Sequence, residues 1–249
     1  MTLTLSAHAE WLAPHLSLVK PDGPGPFPVV IQMHGCGGVQ PFQGRYAQAA
    51  AAAGVAAVNV DSLAPRGISR SEAHLTVCSG LRLRGAERAR DFVAMLHWLE
   101  GQAWADSRRV AAIGWSHGAW SIMEALAAPP ADTPSAAKAL SALRLAALIY
   151  PYAGPPARTH RVGWGQARPK VWACLGERDR VVGHLAPRRA LARLQADGLD
   201  VRVLSLPEAT HAFDDDRASD PRTRYRPDLA ELAQAAYLAA LQEALAETA

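Results

Sequence analysis

Val110-Ala111-Ala112-Ile113-Gly114-Trp115-Ser116-His117-Gly118-Ala119-Trp120 is the stretch on which the reading of this chain turns. A short apolar run, Val110 to Ile113, breaks at Gly114, and a helix-compatible segment from Ala119 to Ala128 follows. Strand, sharp turn and helix, with G-x-S-x-G at the turn, is the context of a nucleophile elbow. The two glycines answer a demand for space, because a side chain two residues either side of the serine would collide with the neighbouring strand or helix. Their absence lets the Ser116 hydroxyl stand above the sheet at a helix N-terminus. There the helix dipole and the free N–H groups favour negative charge on oxygen. G-x-S-x-G alone also describes an ordinary glycine turn. The flanking strand and helix, and partner residues further along, have to decide.

Working outward, the same alternation recurs. Residues Thr2 to Val19 alternate weakly, which suits one or two short edge strands, and Lys20 to Pro28 is a Pro/Gly loop. Val29 to Met33 is a compact buried strand ending in a second glycine-rich turn, His34-Gly35-Cys36-Gly37-Gly38. Arg45 to Ala53 reads as a helix closed by Gly54, and Val55 to Val60 as a strand ending at Asp61. Ser62 to Gly85 is a long loop with room for a helical turn, and Ala86 to Glu100 is an amphipathic helix. Beyond the elbow, Pro129 to Pro134 breaks the chain. Strands follow at Leu145 to Tyr150, Lys170 to Leu175 and Val201 to Leu206, and helices at Pro187 to Ala196 and Leu229 to Leu245. Strands alternating with helices at this spacing predict an α/β fold, a mostly parallel central sheet with helices on both faces. Residues 1–249 are read as a single domain, with no internal repeat.

Composition narrows the function. Hydrophobic residues make up 49% and charged residues 20%, with a formal net charge of +3, so the chain reads as globular. Its basic residues are scattered, which argues against nucleic acid as a partner. No apolar run approaches a membrane span, and Met1 to Glu10 shows no secretory signal. Three cysteines, Cys36, Cys78 and Cys174, without a C-x-x-C, cannot form a full disulfide framework; they are read as reduced thiols in a cytoplasmic setting, with a Cys36–Cys78 pair as the alternative. The nine histidines show no metal-ligand spacing, so neither a metal nor a cofactor is expected.

In an open parallel sheet, functional groups collect at the carboxyl ends of the strands. Four such ends here carry reactive residues: the His34-Gly35-Cys36 turn, Ser116, Asp179 and His211. A serine hydroxyl is a weak nucleophile near neutral pH and needs a base within reach. His211 is the expected base, and then the acid that protonates the leaving group. Asp179 would fix the imidazole tautomer, with Glu177 as a competitor for that role. The backbone N–H groups of Cys36 and His117 would form the oxyanion hole. Trp115, Trp120 and Trp164 are candidates to line an acyl pocket, and Asp214 to Arg217 reads as a solvated charged face.

The motifs His34-Gly35-Cys36-Gly37-Gly38, Gly114-Trp115-Ser116-His117-Gly118, Gly176-Glu177-Arg178-Asp179 and Ala209-Thr210-His211-Ala212-Phe213 resemble the α/β-hydrolase fold, and within it the dienelactone hydrolase family. The family's name-giving enzymes carry cysteine at the elbow, where this chain has Ser116. Those enzymes hold a substrate carboxylate with two arginines. Arg66 matches the first position, after the strand ending at Asp61, unless it bonds its own loop. The second position, four residues past His211, holds Asp215. The resemblance implies a cofactor-free serine hydrolase cleaving a small-molecule ester or lactone through an acyl-enzyme. The alternatives are a serine peptidase-like amide hydrolase and a non-catalytic ligand-binding relative. Oligomeric state stays open, a homodimer included.

Overall fold

The computed structural model describes residues 3–128, 134–155, 157–218 and 220–246. Its frame is a seven-stranded sheet in the order β1-β3-β2-β4-β5-β6-β7. The strands are β1 (Leu16–Val19), β2 (Phe27–Met33), β3 (Ala56–Val60), β4 (Ala105–Trp115), β5 (Leu143–Ile149), β6 (Lys170–Gly176) and β7 (Val201–Leu206). All neighbours pair in parallel except β1, which lies antiparallel on β3 with Leu16 opposite Val60. The helices are α1 (Leu5–Leu12), α2 (Pro41–Ala52), α3 (Arg70–Thr76), α4 (Gly85–Leu99), α5 (His117–Ala127), α6 (Pro134–Ser141), α7 (Thr159–Val162), α8 (Leu185–Ala196) and α9 (Pro227–Ala246).

The apolar runs seen in the sequence are runs because both faces of the sheet are covered. Side chains alternate between the faces along each strand. Val29, Ile31 and Met33 of β2 and Val110 and Ala112 of β4 meet α1, α4, α5, α6 and α8. Val30 of β2 and Ala111, Ile113 and Trp115 of β4 meet α2 and α9. Each fully buried branched aliphatic side chain contributes about 1.5–3 kcal/mol. The parity also settles where the elbow points: Trp115 is committed to the α2/α9 layer, and Ser116 emerges at the strand's end.

The expected α/β sheet is present, with local differences in its helices, among them the short α7 in the stretch from Pro151 to Arg168 expected as irregular loop. The N-terminal stretch is a helix before it is a strand. Leu5, Ala9 and Leu12 recur at helical spacing on its buried side, and the Thr4 hydroxyl caps it by accepting the Ala7 N–H at 3.2 Å. The segment expected as a loop before the amphipathic helix contains α3, capped by Ser69. Helix α6 was not expected at all. Most of the proline break placed before it, residues 129–133, lies outside the described residues.

Arg66 is the main correction. It stands after β3, as expected, but turns away from the cleft to the α4 layer. Its Nη1 and Nη2 donate to the two carboxylate oxygens of Asp91 at 3.0 and 2.8 Å, and Nη1 also donates to the Ser62 carbonyl at 2.7 Å. The guanidinium lies 4.8 Å over the Trp11 ring, and His8 of α1 completes the cluster 2.7 Å from Asp91. Burial alone would raise the Asp91 pKa. The His8 bond and the Arg66 charge outweigh it and hold the carboxyl below its usual range. The cluster fastens α1, α4 and the loop after β3 to one another. Arg66→Ala would strand a fully buried carboxylate. Its expected cost is about 3–5 kcal/mol in urea unfolding, with the rate ratio between carboxylate-bearing and neutral esters unchanged. A selective loss on the carboxylate-bearing ester would restore Arg66 to the cleft.

Candidate active site

The elbow is as tight as its motif demands. A β-carbon on Gly114 would fall 2.5 Å from the Ala119 nitrogen, and one on Gly118 would fall 1.9 Å from the Met33 carbonyl oxygen. Either residue as alanine would push β4, α5 and β2 apart. Between them Ser116 sits at φ 52° and ψ −111°, a region that L-residues avoid, and its carbonyl accepts the Trp120 N–H at 3.0 Å as α5 begins. Two further non-glycine residues with positive φ stand close by, Tyr150 at 36° and Ala212 at 49°.

The three residues picked out by chain order meet at the carboxyl end of the sheet. The Ser116 hydroxyl lies 3.0 Å from His211 Nε2, and His211 Nδ1 lies 2.7 Å from Asp179 Oδ2. The other oxygen of Asp179 accepts the backbone N–H groups of Val181 and Val182 at 2.8 and 3.0 Å, so the carboxylate is aimed before the histidine arrives. Glu177, the competitor, faces outward and accepts from Arg188 at 2.7 Å. All three members are at least nine-tenths buried. The arrangement can pass a proton from the serine hydroxyl to the imidazole while the aspartate supports the imidazolium.

The turn after β2 closes over Ser116: a β-carbon on Gly35 would stand 4.0 Å from that of Ser116. Buried His34 braces the turn. Its Nδ1 donates to the Gly35 carbonyl at 2.5 Å and its Nε2 accepts the Ser62 N–H at 3.0 Å. Burial, reinforced by the Arg88 charge, drives its pKa well below the usual imidazole value. The same two causes push His117 down to about 3. Both rings are therefore neutral at pH 7, beside a buried cation.

Ser116 and His211 stand in a cavity of about 1010 Å³ that Cys36, His117, Trp120 and Tyr152 also line. Trp115 lies against it, 1% exposed, with Nε1 donating to Asp214 at 3.0 Å. Trp164, a second expected pocket residue, does not reach the cavity. It is packed in the α4/α5 layer and donates to the Thr159 hydroxyl at 3.3 Å. Cys36 is bonded to Cys78, just past α3, which corrects the expectation of two reduced thiols. Sequence spacing leaves this pair open rather than deciding it, because the partners are 42 residues apart. Two further residues near the site went unnoticed. Asp214 is fully buried although its neighbours read as a charged surface, and Arg88 is fully buried on α4. Arg88 had a signal: it falls beside Ala89 and Phe92, on the apolar face of its helix.

The sequence profile of the dienelactone hydrolase family matches residues 16–245, nearly the whole chain. The chain belongs to the dienelactone hydrolase family. Like the family it is a hydrolase acting on ester bonds. No curated protein matches it by sequence. Solved structures do. A dienelactone hydrolase-like promiscuous phosphotriesterase, P91, from metagenomic libraries is 20% identical, with 92% of this chain and 98% of that chain covered and a TM-score of 0.67. Esterase 2 of Thermogutta terrifontis, phosphorylated by paraoxon, is 17% identical, with 94% and 90% covered and a TM-score of 0.70. At these identities the likeness is one of fold.

Two outcomes follow for this dienelactone hydrolase family member. The unfolded chain protonates His34 and His117 near 6.5, whereas the folded protein holds His117 neutral down to about 3. The unfolded state then binds more protons, so this contribution is complete above pH 6.5 and drains as pH falls. Stability should drop by up to about 1.4 kcal/mol per pH unit for each histidine between pH 6 and 4, and His117→Gln should flatten the slope by one proton. An unchanged slope would mean that His117 already titrates when folded. Separately, alkylation of the denatured, unreduced protein should label Cys174 alone, and reduction should expose Cys36 and Cys78. Labelling of all three before reduction would refute the bond.

Proposed function

We propose that this hydrolase cleaves a small ester or lactone through an acyl-enzyme on Ser116. The observation that carries the reading is the continuous chain of short contacts from Ser116 through His211 to Asp179, on the wall of a cavity large enough for a substrate. Ser116 Oγ attacks the acyl carbon while His211 Nε2 takes its proton, and the carbonyl electron pair moves onto oxygen. That oxyanion is received by the N–H groups of Cys36 and His117, at the start of α5 where the helix dipole adds to them. The intermediate collapses, the alkoxide leaves with the proton from His211, and Ser116 keeps the acyl group. Water then repeats the sequence and releases the acid. No cofactor enters any of these steps.

The non-catalytic alternative is disfavoured by the strained φ of Ser116, since such a conformation persists only where the surroundings enforce it. Among the described residues no helix is long and apolar enough to cross a membrane. The cytoplasmic setting rests on sparse cysteines and on the lack of a visible secretory signal or membrane span, and the Cys36–Cys78 bond weakens the first of these. A disulfide at the cavity wall fits an oxidising compartment better.

The phosphorylated esterase of like fold suggests the probe. Paraoxon should add one diethylphosphoryl group to Ser116, seen by intact-mass and peptide analysis. Ser116→Ala should abolish that adduct and lower turnover of p-nitrophenyl acetate by about a thousandfold or more, with thermal stability nearly unchanged. Wild-type-like turnover by Ser116→Ala would discard the mechanism.

A further inference from the structure

We infer that Arg88, in the middle of α4, is the positioning residue of the oxyanion hole and supplies the positive field behind it. The inference rests on the acyl-enzyme reading above and extends it to a residue that no substrate touches.

Arg88 is fully buried, an expensive place for a guanidinium unless the charge is matched or used. No carboxylate bonds it. The acids whose charge reaches it are engaged elsewhere: Asp91 spends both oxygens on Arg66 and His8, and Asp61 accepts the Leu63 and Ala64 N–H groups. Arg88 itself donates through Nη1 alone, to the His34 carbonyl at 2.9 Å and to His117 Nδ1 at 3.1 Å. Its Nε and Nη2 find no partner among the described residues. Both imidazoles beside it are neutral, so neither supplies a counter-charge. Burial draws the guanidinium pKa down to about 10, which leaves it charged at neutral pH.

The two acceptors are what connect this cation to catalysis. The His34 carbonyl belongs to the peptide immediately before the one that carries the Cys36 N–H. The His117 ring hangs from the residue whose N–H is the second donor. One nitrogen therefore ties the β2 turn to the head of α5 and sets the spacing between the two N–H groups. A neutral amide could span the same two acceptors without the desolvation cost of a cation. What the charge adds is a potential that favours negative charge a short way in front of it, strongest in a site from which water is excluded.

The test uses p-nitrophenyl acetate, a neutral ester that offers Arg88 no carboxylate to bind, with wild type, Arg88→Lys, Arg88→Gln and Arg88→Met. The Met variant should lose roughly ten- to a hundredfold in kcat with KM within about threefold. Its affinity for a trifluoromethyl ketone, which forms an oxyanion on Ser116, should fall by the same factor. Its affinity for the matching trifluoromethyl carbinol, which cannot form that oxyanion, should hold. Lys, which keeps the charge, should recover part of kcat, and Gln, which keeps donors alone, should recover less. If the Met variant does not fold, the Lys and Gln pair carries the comparison. A kcat within threefold of wild type in the uncharged variant overturns the inference, as does Gln matching Lys. So does an equal loss of ketone and carbinol binding, the mark of a purely structural role. A wild-type protein that neither hydrolyses the acetate nor takes up paraoxon sinks the acyl-enzyme reading, and the role of Arg88 with it.

Discussion

The buried carboxyl of Asp214 is the interaction on which the site's geometry depends. Tyr46 of α2 and the Trp115 indole at the end of β4 donate to one oxygen at 3.1 and 3.0 Å, and Tyr150, just past β5, donates to the other at 2.6 Å. Asp214 follows the histidine loop by three residues, so one side chain ties that loop to the elbow strand, to the next strand and to a covering helix. Burial raises its pKa, and the three donors work against that rise. The strained residues cluster around this node. Ser116 adjoins Trp115, Tyr150 is itself a donor, and Ala212 lies two residues before the acid. Each positive φ costs on the order of 1–3 kcal/mol and persists only where its neighbours over-determine it. Asp214 supplies that over-determination for all three.

Much of this was open to view in the sequence, and what was not has a common physical cause. The parallel sheet was legible because buried strands must be short apolar runs bounded by turns. Ser116, Asp179 and His211 were legible because strand ends concentrate chemistry and their order along the chain is informative. Asp214 was invisible because it heads an acidic run, Asp214-Asp215-Asp216, and nothing local separates the one buried member from its solvated neighbours. Arg66 was misplaced because its position after β3 says where its backbone stands but not which way a long side chain turns. The deciding partner, Asp91, is 25 residues away. The Cys36–Cys78 bond stays only an alternative in the sequence for the same reason. Pattern reaches across one element, whereas a polar side chain chooses among partners brought together by the whole fold.

The covalent bond also bears on Cys36, the first of the two proposed oxyanion donors. Cys36 is attached through its side chain to the segment just beyond α3, a short helix joined to the sheet through the turn after β3. Behind Cys36, His34 holds the backbone of that turn by its bonds to Gly35 and Ser62. The donor is thereby fixed from two directions, through its own side chain on the cavity side and through the backbone on the sheet side. A lone glycine-rich turn would be mobile, and an oxyanion hole loses its advantage if its donors must reorganise during the reaction.

Held together, these contacts grip the elbow from both faces of the sheet. Trp115, before the nucleophile, is fastened on the α2/α9 side to an acid. His117, after it, is fastened on the α4 side to a cation. The sharp turn at Ser116 makes this possible, since Trp115 ends the strand on one face while His117 opens a helix packed on the other, and each layer builds its own polar node. The nodes differ in kind. A carboxyl that gathers three donors stands behind the loop of His211, and a guanidinium stands behind the turn of Cys36 and the head of α5. Both are built into the two buried layers before any substrate arrives.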